Sequence, residues 1–334
     1  TEMNHTTQAL IGGAAVDTTQ NALAANGRTR IAFGQDGITL EATTDNEFIP
    51  LAQSGGKDEG IGVQASIARV GVESQETKAA VVYDSGSVAP IIDSNEGTSG
   101  NISISAKDDT VLTPSAGGIL VGKAINIGFS SAEAALNRNV SAFVGASDLQ
   151  ASGASSAGPR ITASGDISIE ATASGKVIPV SVAGSVISRD RKDPDGNGEN
   201  KVDVGDQEFK FGLGVSGDYS DAKITDSVSA YVNQAMLTGN ANTQTIDLLA
   251  TNDTRLNIAT GAAAFQSEKG SDSSAGLSGA ASYAEYTSDV SSVIANAEIT
   301  LFEVTVQAQN DKTIGAFSAG GSGDYVSNVG IAVA

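Results

Sequence analysis

Three oxygen-bearing side chains at alternate positions are the strongest invitation to chemistry in this chain. In "RDRKDPDGNGENKVDVGDQ", Arg189 to Gln207, the residues Asp193, Asp195 and Asn197 precede Gly198. An EF-hand-type calcium loop offers hard oxygens in that pattern around a turn that glycine permits. The twelfth position should be a bidentate acid, and it is Val204. Asp203 falls one residue early, while Glu199 and Asp206 are possible substitutes. The candidate metal ligands are therefore Asp193, Asp195, Asn197, Glu199 and Asp203, with calcium as the cation and an extracellular-grade affinity of about 0.1 to 1 mM. A metal-free loop would have the same composition, because Pro, Asp, Gly and Asn dominate any exposed turn.

Other stretches imitate chemistry less well. "GGILVGKA", Gly117 to Ala124, begins like a phosphate loop, but Ala124 stands where a Ser or Thr would hold magnesium, and Ile119, Leu120 and Val121 read as a strand. "GLGVSG", Gly212 to Gly217, fits a dinucleotide fingerprint only if a helix follows, and none is predicted. Catalytic carboxylates need a neighbouring base or a second acid on the same face. The acids here are scattered, Asp108 and Asp109 read as solvated turn residues after a strand, and the one histidine, His5, reads as a surface residue. Tyr219, Tyr231, Tyr283 and Tyr286 form the one dense aromatic set, which reads as cover for the core; beside a carboxylate cluster they would instead favour a carbohydrate site. No catalytic residue and no organic cofactor is assigned.

The elements that carry these residues repeat. "GITLEATTD" from Gly37 returns as "NISISAKDD" from Asn101, "DISIEATAS" from Asp166, "TIDLLATND" from Thr245 and "EVTVQAQND" from Glu303, at offsets of 64, 65, 79 and 58 residues. Each alternates apolar and polar side chains, as a strand with one buried face does: Ile38, Leu40, Ala42; Ile102, Ile104, Ala106; Ile167, Ile169, Ala171; Ile246, Leu248, Ala250; Val304, Val306, Ala308. A later phrase repeats too, setting Val228 beside Val290, Val232 beside Ile294 and Leu237 beside Ile299. The units span 37–100, 101–165, 166–244, 245–302 and a truncated 303–334, with 1–36 as the tail of a preceding unit; the charged stretch, 189–208, makes the third unit long and must leave it as a loop.

With 4% aromatic residues, no Trp and 39 glycines in 334 residues, the core must be thin and built of small side chains. Stacked coils can pack such residues where a compact two-layer domain cannot. The expectation is an all-β parallel β-helix, an elongated rod with almost no helix. Three coils of about 20 residues would fill a unit, so about fifteen coils would make a rod roughly 70 Å long. There is no cysteine, and 39 acids against 19 bases give a net charge of −20, which makes nucleic acid and anionic membrane surfaces poor partners.

The repeats built from a strand, Ala, "SVAGS" or "TGAAA", then "GLGVSG" or "GLSGAAS" and a final "SAYVNQA", resemble those of the large filamentous haemagglutinin-like and leukotoxin-named adhesins of Gram-negative bacteria. That resemblance covers most of the chain from about Gly37 and implies a right-handed β-helix, export by two-partner secretion, and a non-catalytic role in attachment or matrix building outside the cell. The partners it implies are further coils or copies of the filament protein and cell surfaces or glycans. A carbohydrate-active β-helix is the alternative.

Overall fold

The computed structural model describes residues 2–12, 30–58, 60–83, 89–94, 100–149, 153–188, 202–204, 207–209, 212–240, 243–267, 274–323 and 328–333. Apart from one 3-10 turn at Ser155–Ala157, its regular elements are strands. The first, β1 (Glu2–Gly12), is followed by a coil of β2 (Arg30–Phe33), β3 (Ile38–Phe48), β4 (Leu51–Asp58) and β5 (Ile61–Tyr83). The second coil holds β6 (Ile91–Ser94), β7 (Ile102–Leu112), β8 (Ser115–Gly122) and β9 (Ile125–Ala146). The third holds β10 (Arg160–Ala163), β11 (Ile167–Val177), β12 (Val180–Ser188), β13 (Val202–Val204), β14 (Gln207–Phe209) and β15 (Gly212–Asn233). The fourth is β16 (Met236–Gly239), β17 (Gln244–Ser267) and β18 (Ser274–Ala295), and the last is β19 (Glu298–Thr300), β20 (Phe302–Gly323) and β21 (Asn328–Val333).

Equivalent strands pair in parallel from coil to coil and build three sheets. A short sheet holds β2, β6, β10, β16 and β19; an outbound sheet holds β3 with β4, β7 with β8, β11 with β12, then β17 and β20; a return sheet holds β1, β5, β9, β15, β18 and β21. This is a parallel β-helix, as the alternating phrases require. Its coil is larger than expected. Ile38 pairs with Ile102, Ile102 with Ile167, Ile167 with Ile246 and Ile246 with Val304, so a whole unit makes one turn, where three were expected. The return strand of 22 residues explains the difference: it spans about 70 Å without a corner, and five stacked coils rise only about 20 Å. The expected pairings of Val228 with Val290, Val232 with Ile294 and Leu237 with Ile299 are all present.

Prolines punctuate the outbound sheet. Pro50, Pro114 and Pro179 occupy equivalent sites, have no N–H to give the ladder, and split the strand in three coils; Ile258 stands at that place in β17, which runs through unbroken. At the far side the chain leaves the return sheet through Gln234 and Asn296, both left-handed at φ 55 and 50, before entering the short sheet. Amide side chains tolerate that conformation better than branched ones.

The inward positions hold what the alternation predicts. Ile102, Ile104, Ala106, Ile167, Ile169, Ala171, Ile246, Leu248 and Ala250 are buried and meet Val140, Ala142, Val144, Val228, Ala230 and Val232 of the return sheet and Ile92, Ile161 and Leu237 of the short one. Val304 and Val306 share that register on β20, the terminal strand of the outbound sheet, and are 42% and 45% exposed. Away from the short sheet a second cluster, with Val70, Leu112, Leu136, Val177, Ile224 and Leu256, fills the interior, and beyond it the core thins toward Ala and Ser as the long sheets close until a Cβ on Gly128 would lie 2.8 Å from the carbonyl oxygen of Gly184. Small residues there are a condition of closure.

Candidate functional site

Of the residues read as calcium ligands, Asp193, Asp195, Asn197 and Glu199, with Asp206, lie outside the described residues. Asp203 lies on β13, which pairs antiparallel with β14 and sets it opposite Glu208. That hairpin, which the sequence reading missed, belongs to a segment that leaves the coil between Ser188 and Gly212, where the preceding coil passes from Gly122 to Ile125. Among the described residues no group of three His, Cys, Asp or Glu side chains could hold a metal ion. The phosphate-loop imitation lies largely in strand β8, and "GLGVSG" opens strand β15. His5 is exposed on β1, its ring 2.9 Å from the Thr7 hydroxyl, and lines a cavity of about 180 Å³ with Asn4, Asn46 and Gln75.

Asp108 corrects the sequence reading. Strand β7 does not end at Ala106 but keeps its alternation to Leu112, turning Lys107 and Asp109 outwards and Asp108 and Thr110 inwards. Asp108 is 1% exposed. The Arg138 guanidinium, fully buried on β9, donates from Nη1 to Asp108 at 3.1 Å and from Nε to Asp226 at 2.8 Å, so one cation bridges carboxylates from two other strands in two sheets. Thr254 accepts another of its N–H groups, and Ser174 O accepts a further one. Burial alone would lower the Arg138 pKa; the charges and hydrogen bonds of Asp226 and Asp108 outweigh it and raise it. Two small residues make room. Ala173 stands between Asp108 and Asn252 in the stack, and Gly175, at φ +133, would place a Cβ 2.1 Å from Thr110 O.

The network continues along the axis as a polar column. Gln75 donates to Asp108 and to the Thr110 hydroxyl, Thr77 to Asp108 at 3.1 Å, Asn252 to Asp226 at 3.1 Å, and the Tyr286 hydroxyl to Asp226 at 2.9 Å. Burial, first, and the Asp226 charge push the Tyr286 hydroxyl up to about 12, against hydrogen bonds from Thr254 and Asn252 that pull the other way. Every charge is shut away from solvent, so the column can fix register but cannot meet a substrate. Its signal was present in the sequence: Thr44, Asp108, Asn252 and Asn310 are polar residues at one inward register position.

The tyrosines divide. Tyr231 is buried, stacks on Phe143 with ring centroids 4.5 Å apart and donates to Ser147 O, and Tyr286 points into the column. Tyr286 faces the core as expected, whereas Tyr231, like Tyr219 and Tyr283, stands on the outward face of the return sheet, where a small separate cluster with Ala80, Val82 and Phe143 buries it. Tyr219 and Tyr283 flank an exposed cluster of titratable side chains. Asp221 pairs in register with Glu133 on one side and Tyr283 on the other, and Lys223 pairs with Glu285. Burial raises the Asp221 pKa first, then the charges of Glu133 and Glu285; burial and the charges of Asp221 and Glu133 raise that of the Tyr219 hydroxyl. Glu133 is bridged by Arg69 at 3.4 Å and Glu285 by Lys223 at 3.0 Å. Among the described residues Asp221 makes no such short ion pair, although the charge of Lys223 opposes the rise in its pKa.

No family model matches the chain, and no curated protein and no solved structure matches it.

Proposed function

We propose that this chain is a structural and adhesive segment of a large secreted bacterial surface filament, non-catalytic, whose partners are further coils or copies of the filament protein and glycans or surfaces of cells. The observation that supports it is the residue-for-residue register held through five outbound strands, from Ile38 to Val304. A solenoid of this kind grows by adding turns, each of which buries the last, and so serves reach rather than a single enclosed site. The net charge of −20 keeps such a surface soluble and away from anionic lipid and nucleic acid. Antibodies raised against the 334-residue chain should label intact cells of the source bacterium; labelling seen only after lysis would overturn the reading.

A second reading has its own observation, the Asp221, Glu133 and Glu285 cluster beside outward Tyr219 and Tyr283 on the return sheet. Aromatic faces and paired carboxyls are what a carbohydrate-active β-helix uses. Release of reducing ends from acidic and neutral polysaccharides by the chain, abolished by Asp221→Asn, would favour it; no release by the unaltered chain would remove it.

A further inference from the structure

The outward face of the return sheet is divided along its strands. A band of charge crosses it at Arg69, Glu133, Asp221, Lys223 and Glu285, but toward the tip, where the outbound sheet hands over to it, the outward positions are Ile61, Val63, Ala65 and Ile67; Ile125, Ile127, Phe129 and Ser131; Leu213, Val215, Gly217 and Tyr219; Ala275, Leu277, Gly279 and Ala281. None carries a charge. Val63 is 72% exposed, Ile67 61% and Leu277 44%, and Ile331 and Val333 of β21 extend the patch to a fifth strand at 57% and 59%. Outward residues about 6.6 Å apart along strands about 4.8 Å apart give a flat patch of about 600 Å². Monomers rarely leave so much contiguous apolar surface bare.

We propose that this patch is a lateral docking face for a second copy of the same chain, the two return sheets packing face to face. Size supports this occupant: two such patches bury about 1,200 Å², at the lower bound of a standard interface, which suits a weak, reversible pair. Texture supports it too. Phe129 leans towards Gly217, 3.6 Å from where its Cβ would be, while a Cβ on Gly279 would meet nothing within 4 Å, so a ridge lies beside a trough on one surface. A surface that carries both can complement itself across a two-fold axis. The outbound sheet is a poorer candidate, because exposed Gln53 and the charge of Lys57 stand in its outward rows near the tip, which Gly55, Gly117, Gly184 and Gly261 thin further. At net charge −20 the charged parts of two copies repel, which leaves the uncharged patch as the place of closest approach and makes pairing stronger in salt.

This deepens the filament reading by naming one partner and one face, and it rests on that reading for its purpose, although the test does not. Sedimentation velocity from about 1 to 200 µM in 0.15 M salt should show the weight-average mass rising from 33.4 kDa toward twice that value. Val63→Lys with Leu277→Lys should hold it at the monomer, and Thr43→Lys with Thr305→Lys, exposed on the outbound sheet and matched in charge, should not. Circular dichroism checks that both pairs stay folded, and if the first pair does not, Val63→Thr with Leu277→Thr replaces it and should weaken pairing at least tenfold. A monomer at every concentration overturns the proposal, as does pairing that survives the patch variants. Flotation with neutral phosphatidylcholine vesicles, lost in the patch variants while the free chain stays monomeric, would assign the face to lipid and also overturn it. Lateral pairing can fail in these measurements while surface labelling of cells succeeds, so the two readings fall separately.

Discussion

Replacing Arg138 by Met should damage one part of the solenoid and leave the rest. The substitution removes the one cation bridging Asp108 and Asp226, both about 1% exposed, and leaves two carboxylates inside a sheet sandwich. Losing one partner from a buried ion pair costs about 3 to 5 kcal/mol, chiefly because the other is left uncompensated. Here two carboxylates lose their partner, though Gln75, Thr77, Asn252 and Tyr286 still donate to them. The upper part of that range is therefore expected at pH 7. Coils interact mainly with their neighbours, so the cost should appear as local opening of β7, β9 and β15. Hydrogen exchange followed by mass spectrometry reads this directly: amides of those strands should exchange on the order of 10³ times faster, since about 1.4 kcal/mol is a factor of ten. Amides of β20 should change little. Protection in β7 and β9 within threefold of the parent at pH 7, or equal loss in every coil, would refute the reasoning.

Asp218→Asn tests burial of the opposite kind: burial, which outweighs hydrogen bonds from Ser181, Gly261 and Tyr219, pushes the Asp218 carboxyl up to about 6 from 3.8, so its neutral form favours the fold, and that contribution is complete below about pH 4 and lost as pH rises through 6. The variant should therefore be more stable than the parent at pH 7, by up to about 3 kcal/mol, and equal to it near pH 4; parallel urea midpoints across that range would dismiss the assignment. Ile169→Asp puts an unpaired charge among Ile104, Leu248 and Ile167, all buried, and should cost several kcal/mol; limited proteolysis should then cut first in the third coil, whereas uniform cleavage along the chain would contradict local stability. Titration of calcium should give binding heats at about 0.1 to 1 mM that vanish in Asp193→Ala with Asp195→Ala; identical traces for both proteins would leave the segment a polar excursion.

The sequence by itself determined strand type, parallel stacking and register, because each is written in local alternation and in repetition: Ile102, Ile167 and Ile246 recur with the same neighbours, and only in-register stacking buries all of them. It also located the excursion after Ser188, since an insertion breaks an otherwise even interval. It did not determine how many turns a unit makes. A strand's length depends on whether a corner interrupts it, and Gly, Ser and Asn in "INIGFSSAEAALNRNVSAFVGA" are as compatible with corners as with an unbroken β9 held by neighbours on both sides. The fate of the charged residues was settled by tertiary structure alone. "KDD" after Ala106 has the composition of a turn, and Asp108 enters the core because Arg138, on the facing sheet, comes within 3.1 Å of it and Ala173 and Gly175 leave room. That pairing joins residues of different strands in different sheets, so no local pattern encodes it. The exposed cluster of Asp221, Glu133 and Tyr283 likewise exists only because coils one unit apart lie side by side.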